Sequence, residues 1–79
     1  MPNETTKVEN DIYNERARQD EKWGEQNHLP STWLLILIEE VVEASESLLK
    51  ENDTSYREEM IHVAAVAIAA LESFDRLGR

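Results

Sequence analysis

The chain has 79 residues, no cysteine, and eight Lys and Arg against seventeen Asp and Glu, a formal charge of −9. Without cysteine there is no disulfide framework and no thiolate metal site, and so acidic a balance argues against binding nucleic acid or an anionic membrane, which draws on clustered basic residues. One domain of this size buries only about 60% of the surface its unfolded chain exposes, so exceptional helix packing, oligomerisation or a hard-metal site with oxygen ligands is expected to make up the deficit.

The N-terminus, Met1-Pro2-Asn3-Glu4, has no basic region and no apolar stretch behind it, unlike a signal peptide. The longest apolar run, Val63 to Leu71, is nine residues, short of the roughly 20 that span a bilayer. A soluble, cytoplasmic protein with no membrane partner is expected. Residues 1–6 are expected to be flexible. The first helix is predicted from about Lys7 to Lys22, opened by the capping-box pattern Thr6-Lys7-Val8-Glu9. Its apolar content is thin (Val8, Ile12, Tyr13, Ala17), so it should pack as a satellite. Trp23-Gly24 ends it, and Glu25 to Pro30 reads as a polar loop.

Ser31 reads as the N-cap of a second helix running to about Lys50. After the turn Glu51-Asn52-Asp53-Thr54, a second capping-box pattern, Ser55-Tyr56-Arg57-Glu58, opens a third helix that reaches Leu77 and stops at Gly78. Residues 1–79 thus form a single all-α domain, a helical hairpin plus an N-terminal helix. On the second helix Leu34, Leu37, Ile38, Val41, Ala44, Leu48 and Leu49 spread over roughly half the circumference. The third is apolar all round from Val63 to Leu71 and needs enclosing. A second copy of the hairpin would enclose it in a four-helix bundle, so a homodimer or homotetramer is expected.

The second helix also carries Glu39, Glu40, Glu43 and Glu46. Glu39, Glu43 and Glu46 share one face and Glu40 stands about 100° away on the flank. Like charges at this spacing repel, and no Lys or Arg occupies positions 31–49. Two readings fit: a solvated acidic face, or a site that gathers negative charge for a cation. Glu59 weighs toward the second, because it heads the apolar stripe Val63, Val66, Ala70, where an unpaired carboxylate is costly. An antiparallel hairpin brings it level with Glu43 and Glu46, one turn beyond Glu39. Converging carboxylates with room for water and phosphate oxygens suit a hard divalent cation. His62 is either a core histidine satisfied by a carboxylate or, in a Glu-x-x-His unit with Glu59, a ligand favouring Fe, Mn or Zn over Mg²⁺.

Glu39-Glu40-x-x-Glu43, then Glu59-x-x-His62 after fifteen intervening residues, resembles the EExxE…ExxD signature of the MazG-like nucleoside triphosphate pyrophosphohydrolases. Glu21-Lys22-Trp23-Gly24-Glu25-Gln26-Asn27-His28, Trp33 and the stretch holding Arg16, Arg18 and Gln19 resemble short phage and prophage members of that family. The likeness runs from about Glu15 to Glu72. It implies metal-dependent hydrolysis of a nucleoside or deoxynucleoside triphosphate to monophosphate and pyrophosphate, with Mg²⁺ or Mn²⁺ as cofactor. By the same resemblance Glu39, Glu40, Glu43 and Glu59, with His62, are the metal ligands, and Glu39, Glu40 and Glu43 orient the attacking water. Lys22, Trp23, Gln26 and His28 are implied at the mouth of the site, for base stacking and phosphate contact, although Trp23 fits a plug for the core edge equally well. The chain departs from the signature at His62, where the family has Asp, and at Val42, where many members have Gly. These departures keep open a nucleotide-binding or interaction module without turnover, and the Glu-x-x-His unit a di-iron or di-manganese carboxylate bundle.

Overall fold

The computed structural model describes residues 3–77, which form three helices and, among the described residues, no strand: α1 (Glu4–Trp23), α2 (Pro30–Leu49) and α3 (Asp53–Leu77). The all-α reading holds, with every helix starting earlier than expected. Asn3 caps α1, its Oδ1 accepting from Thr6 N at 3.0 Å. Asn3 to Thr6 therefore form the helix start, and the Thr6 capping box is unused; Met1 and Pro2 lie outside the described residues. α2 starts at Pro30, not after Ser31, since proline suits a first helical position whose N–H has no partner. Asn52 Oδ1 accepts from Ser55 N at 3.0 Å, so α3 opens at Asp53 rather than beyond Ser55. At both asparagine caps the side chain offers an acceptor upstream of the Ser or Thr that the pattern favoured. The expected stop at Gly78 lies outside the described residues.

The two turns have distinct chemistry. Gly24 ends α1 at φ 73°, its N–H reaching Asp20 O at 2.8 Å, a conformation that glycine adopts without strain. After α2, Asn52 N bonds Ser47 O at 3.2 Å and Glu51 N bonds Leu48 O at 3.0 Å, the Schellman pattern. Its left-handed residue is Glu51, at φ 53°, where glycine is usual.

α2 and α3 form the antiparallel hairpin; among the described residues α1 packs on α3 and does not meet α2. The core is Trp33 of α2 with Val66 and Ala69 of α3, flanked by Ile36, Leu37 and Ala70. A tryptophan buries about 150–250 Å², and its place in the core fixes the rotation of α2. The inner seam then runs Trp33, Leu37, Glu40, Ala44, Ser47, at alternating spacings of four and three. Opposite lie Ala65 and Ser73, both fully buried, and residues this small let the helices close. Of the apolar positions spread over half of α2, Leu37 and Ala44 face the seam, while Leu34, Ile38, Val41, Leu48 and Leu49 face outward and are exposed, with Leu35 at 63% and Leu71 of α3 at 64%.

Polar straps hold the satellite and the loop. Arg16 Nη2 reaches Glu72 Oε1 at 2.6 Å and Arg57 Nη2 reaches Asp11 Oδ2 at 2.7 Å, tying α1 to α3. Arg76 Nε donates to Asn27 Oδ1 at 2.8 Å and its Nη2 to Gln26 O at 3.0 Å, while His28 N donates to Ser73 Oγ at 3.1 Å. Among the described residues no helix is long and apolar enough to cross a membrane.

Candidate metal centre

Glu40 sits mid-seam on α2, where periodicity alone would place an apolar residue. Across from it, about two turns into α3, Glu59 and His62 stand at i and i+3 on the same face. One donor atom from each of Glu40, Glu59 and His62 falls within 4.8 Å of the others. His62 Nδ1 lies 3.3 Å from Glu59 Oε2 and 3.9 Å from Glu40 Oε2. Its other nitrogen, Nε2, faces Glu15 Oε2 of α1 at 3.7 Å. All three helices thus meet at this imidazole.

Glu40 Oε2 is buried without a hydrogen-bond partner among the described residues. Buried polar atoms are nearly always paired, and an unpaired carboxylate oxygen costs more than a neutral one. Burial pushes the Glu40 carboxyl above the ordinary glutamate range; charge on His62 opposes the rise, and Glu59, Glu15 and Glu39 add to it. Glu43 is raised too, first by the charge of Glu40, then by burial and a hydrogen bond with Glu59. Each of these penalties is relieved by a cation among the carboxylates. The donors fit one: two carboxylates suit Mg²⁺ or Mn²⁺, and the imidazole shifts the preference toward Mn²⁺.

The centre opens on a cleft of about 340 Å³ over α3, with α1 and α2 as its walls. Glu15, Glu40, Glu43 and His62 line one end, Arg16, Arg18 and Arg76 add positive charge, and Trp23, Gln26 and Trp33 contribute the remaining wall. Every guanidinium nitrogen of Arg16 is engaged: Nε and Nη2 donate to Glu72 Oε1, Nη1 to Gln19 Oε1 at 3.1 Å, and Nη2 also to Asp20 Oδ1 at 3.0 Å. The cleft thus sets an acidic end with His62 beside guanidinium groups and an exposed indole.

The expected site residues divide three ways. Glu40, Glu59 and His62 converge, with Glu43 on the lip. Glu39 and Glu46 point to solvent, Glu39 acting on the centre only through its charge. The flank residue of the acidic helix, Glu40, is the central one because Trp33 sets the rotation. Of the mouth residues, Trp23 and Gln26 line the cleft, and Lys22 Nζ sits 4.7 Å over the Trp23 ring. His28 lies elsewhere: its ring meets the edge of Trp33, centroids 4.9 Å apart, and it lines an apolar groove of about 430 Å³ with Leu34, Leu71 and Phe74. Glu15 escaped the sequence reading. Its signal was there, since it continues the Val8–Ile12 stripe that faces α3, as Glu59 heads the stripe of α3. Comparison of the chain with protein-family profiles, characterised proteins and solved structures gave no match.

Proposed function

We propose that the protein hydrolyses nucleoside or deoxynucleoside triphosphates to monophosphate and pyrophosphate, in the manner of the MazG-like enzymes its glutamate pattern resembles. The observation that carries this reading is the buried, unpaired Glu40 Oε2 in a Glu–Glu–His cluster opening on an arginine- and tryptophan-lined cleft. A bound Mg²⁺ or Mn²⁺ would polarise the phosphate chain and lower the pKa of an attacking water. Glu40, Glu59 and His62 hold the cation in this proposal, while Glu43, on the lip with a raised affinity for protons, orients the water and takes its proton. Arg16 and Arg18 offset the charge of the phosphates. Trp23 offers the base a ring, with Gln26 beside it, and Lys22 stiffens that ring from behind.

The active form in this reading is a homodimer or homotetramer. Support comes from the outward stripe of α2, Leu34, Leu35, Ile38, Val41, Val42, Leu48 and Leu49, continued on α3 by Leu71 and Phe74, all exposed in a single chain. Contiguous apolar surface of this kind marks an interface, and a second hairpin laid on it completes a four-helix bundle.

Pyrophosphate release from a panel of ribo- and deoxyribonucleoside triphosphates, with Mg²⁺ and then Mn²⁺, tests the proposal. Chelator-sensitive turnover is expected and would reveal the favoured base. Saturable nucleotide binding without turnover would favour a second reading, a nucleotide-binding module, for which the imidazole of His62 in place of a third carboxylate is the specific ground.

A further inference from the structure

The imidazole of His62 stands between carboxylates on its two sides. Nδ1 lies 3.3 Å from Glu59 Oε2 and 3.9 Å from Glu40 Oε2, whereas Nε2 faces Glu15 Oε2 of α1 at 3.7 Å. Glu15 is nearly enclosed, its side chain 10% exposed. It is also fixed in place. Arg18 donates from Nε to Oε1 at 2.8 Å and from Nη2 to Oε2 at 2.7 Å, and Gln19 Nε2 donates to Oε2 at 3.2 Å. These bonds fill three of a carboxylate's roughly four acceptor positions. Helix α1 does not meet α2, which carries Glu40, so Glu15 joins the cluster at His62.

An imidazole gives a cation only the nitrogen that carries no proton, and the other nitrogen then keeps its N–H. Glu40 and Glu59 converge on Nδ1, so a cation shared by the three residues takes Nδ1 and leaves the proton on Nε2. That N–H needs an acceptor, and histidine ligands ordinarily find one in a carboxylate, a backbone carbonyl or water. The opposite tautomer would set a bare Nε2 against the carboxylate of Glu15. At 3.7 Å the contact is longer than a hydrogen bond, as such contacts often are before a site is loaded. We propose, resting on the cation centre of the reading above, that Glu15 is a positioning residue for His62. Its carboxylate holds the Nε2 proton and so presents Nδ1 to the cation, while Arg18 and Gln19 stay in place and keep Glu15 fixed. A buried glutamate on α1 thus belongs with the imidazole at position 62. An aspartate there, as in the MazG-like signature, has no tautomer to set and needs no such partner.

Calorimetric titration of the full chain with Mn²⁺ alone tests this role without any turnover. Glu15→Met, which removes the acceptor at similar length, should weaken Mn²⁺ binding by about tenfold or more. In a His62→Asp background the same change should cost no affinity, because no ring is left to orient. That dependence on the background is the signature, since a merely structural role would not produce it. Correlation spectra of the imidazole nitrogens in the Zn²⁺-loaded chain, assigned with His62→Asp, should show His62 protonated at Nε2. Should Glu15→Met prove poorly helical by circular dichroism, Glu15→Gln keeps one acceptor oxygen and should show a smaller but measurable loss, again absent with His62→Asp. Unchanged Mn²⁺ affinity in the Glu15 variants, an equal loss in both backgrounds, or a proton on Nδ1 overturns the role of Glu15. Each of these leaves the centre intact, provided wild type binds Mn²⁺ and Glu40→Gln does not. Wild type that binds no Mn²⁺ overturns both.

Discussion

The two sides of the α2–α3 hairpin differ in an instructive way. On the side covered by α1 the seam is made of small and polar residues, Ala44, Ser47, Ala65, Ala69 and Ser73, with Glu40 in its middle and the cleft beside it. On the opposite side stand the large apolar residues, exposed, around a groove walled almost wholly by hydrocarbon. A single chain would gain more by burying the leucines and exposing the glutamate. Glu40 lies inside nonetheless, because Trp33 two turns earlier on the same seam is the dominant anchor. In our reading one side is arranged for chemistry and the other for a second copy of the chain.

Breaking the polar side should have the largest effect. Glu40→Gln and Glu59→Gln are each expected to weaken Mg²⁺ and Mn²⁺ binding by at least about 100-fold, extending the losses known for less direct metal contacts. Helicity and oligomeric state should stay unchanged; calorimetry with size-exclusion light scattering reads both. Breaking the apolar side should do the reverse. Ile38→Lys places a charge in the proposed seam and removes a buried side chain worth about 2 kcal/mol or more. Light scattering should then report a monomer.

A smaller effect is expected where neither side is involved. Glu51→Gly relieves the left-handed strain of the turn and should stabilise the chain by about 1 kcal/mol, measured by urea denaturation, with metal affinity unaltered. The smallest effect is the pH dependence of the metal-free protein. Glu40 and Glu43 have raised carboxyl pKa values, so the folded state binds protons more tightly than the unfolded chain. Stability from these groups should fall as pH rises from the ordinary glutamate range through their raised values. Glu15 and Asp11 are lowered, first by Arg18 and Arg57 respectively. Their contribution is present above the ordinary carboxylate range and is lost as pH falls through it. Melting curves across weakly acidic pH should show the first decline, with Glu40→Gln flattening it and Mg²⁺ reversing it.

Much of this was legible in the sequence. Three helices, their order, the hairpin and the Glu59–His62 unit follow from periodicity and turn chemistry. The rotation of α2 does not, because Leu34, Ile38 and Val41 suggest one inner face while Trp33, Ala44 and Ser47 define another, and apolar counting cannot weigh one tryptophan against several leucines. That rotation decides whether Glu39, Glu43 and Glu46 or Glu40 faces the centre. Glu15 was hidden for a related reason: a carboxylate on a thin amphipathic stripe reads as solvated until the helix it packs against is known. His28, read with the loop, is drawn instead to Trp33 because Ser73 holds its backbone against α3.

Phosphorus NMR of a nucleoside triphosphate incubated with the protein and Mg²⁺ tests the central claim most directly. Monophosphate and pyrophosphate signals growing in equal amounts, and stopping on addition of chelator, are the predicted result. Diphosphate with orthophosphate, or a triphosphate left intact by folded protein with either Mg²⁺ or Mn²⁺, would contradict it.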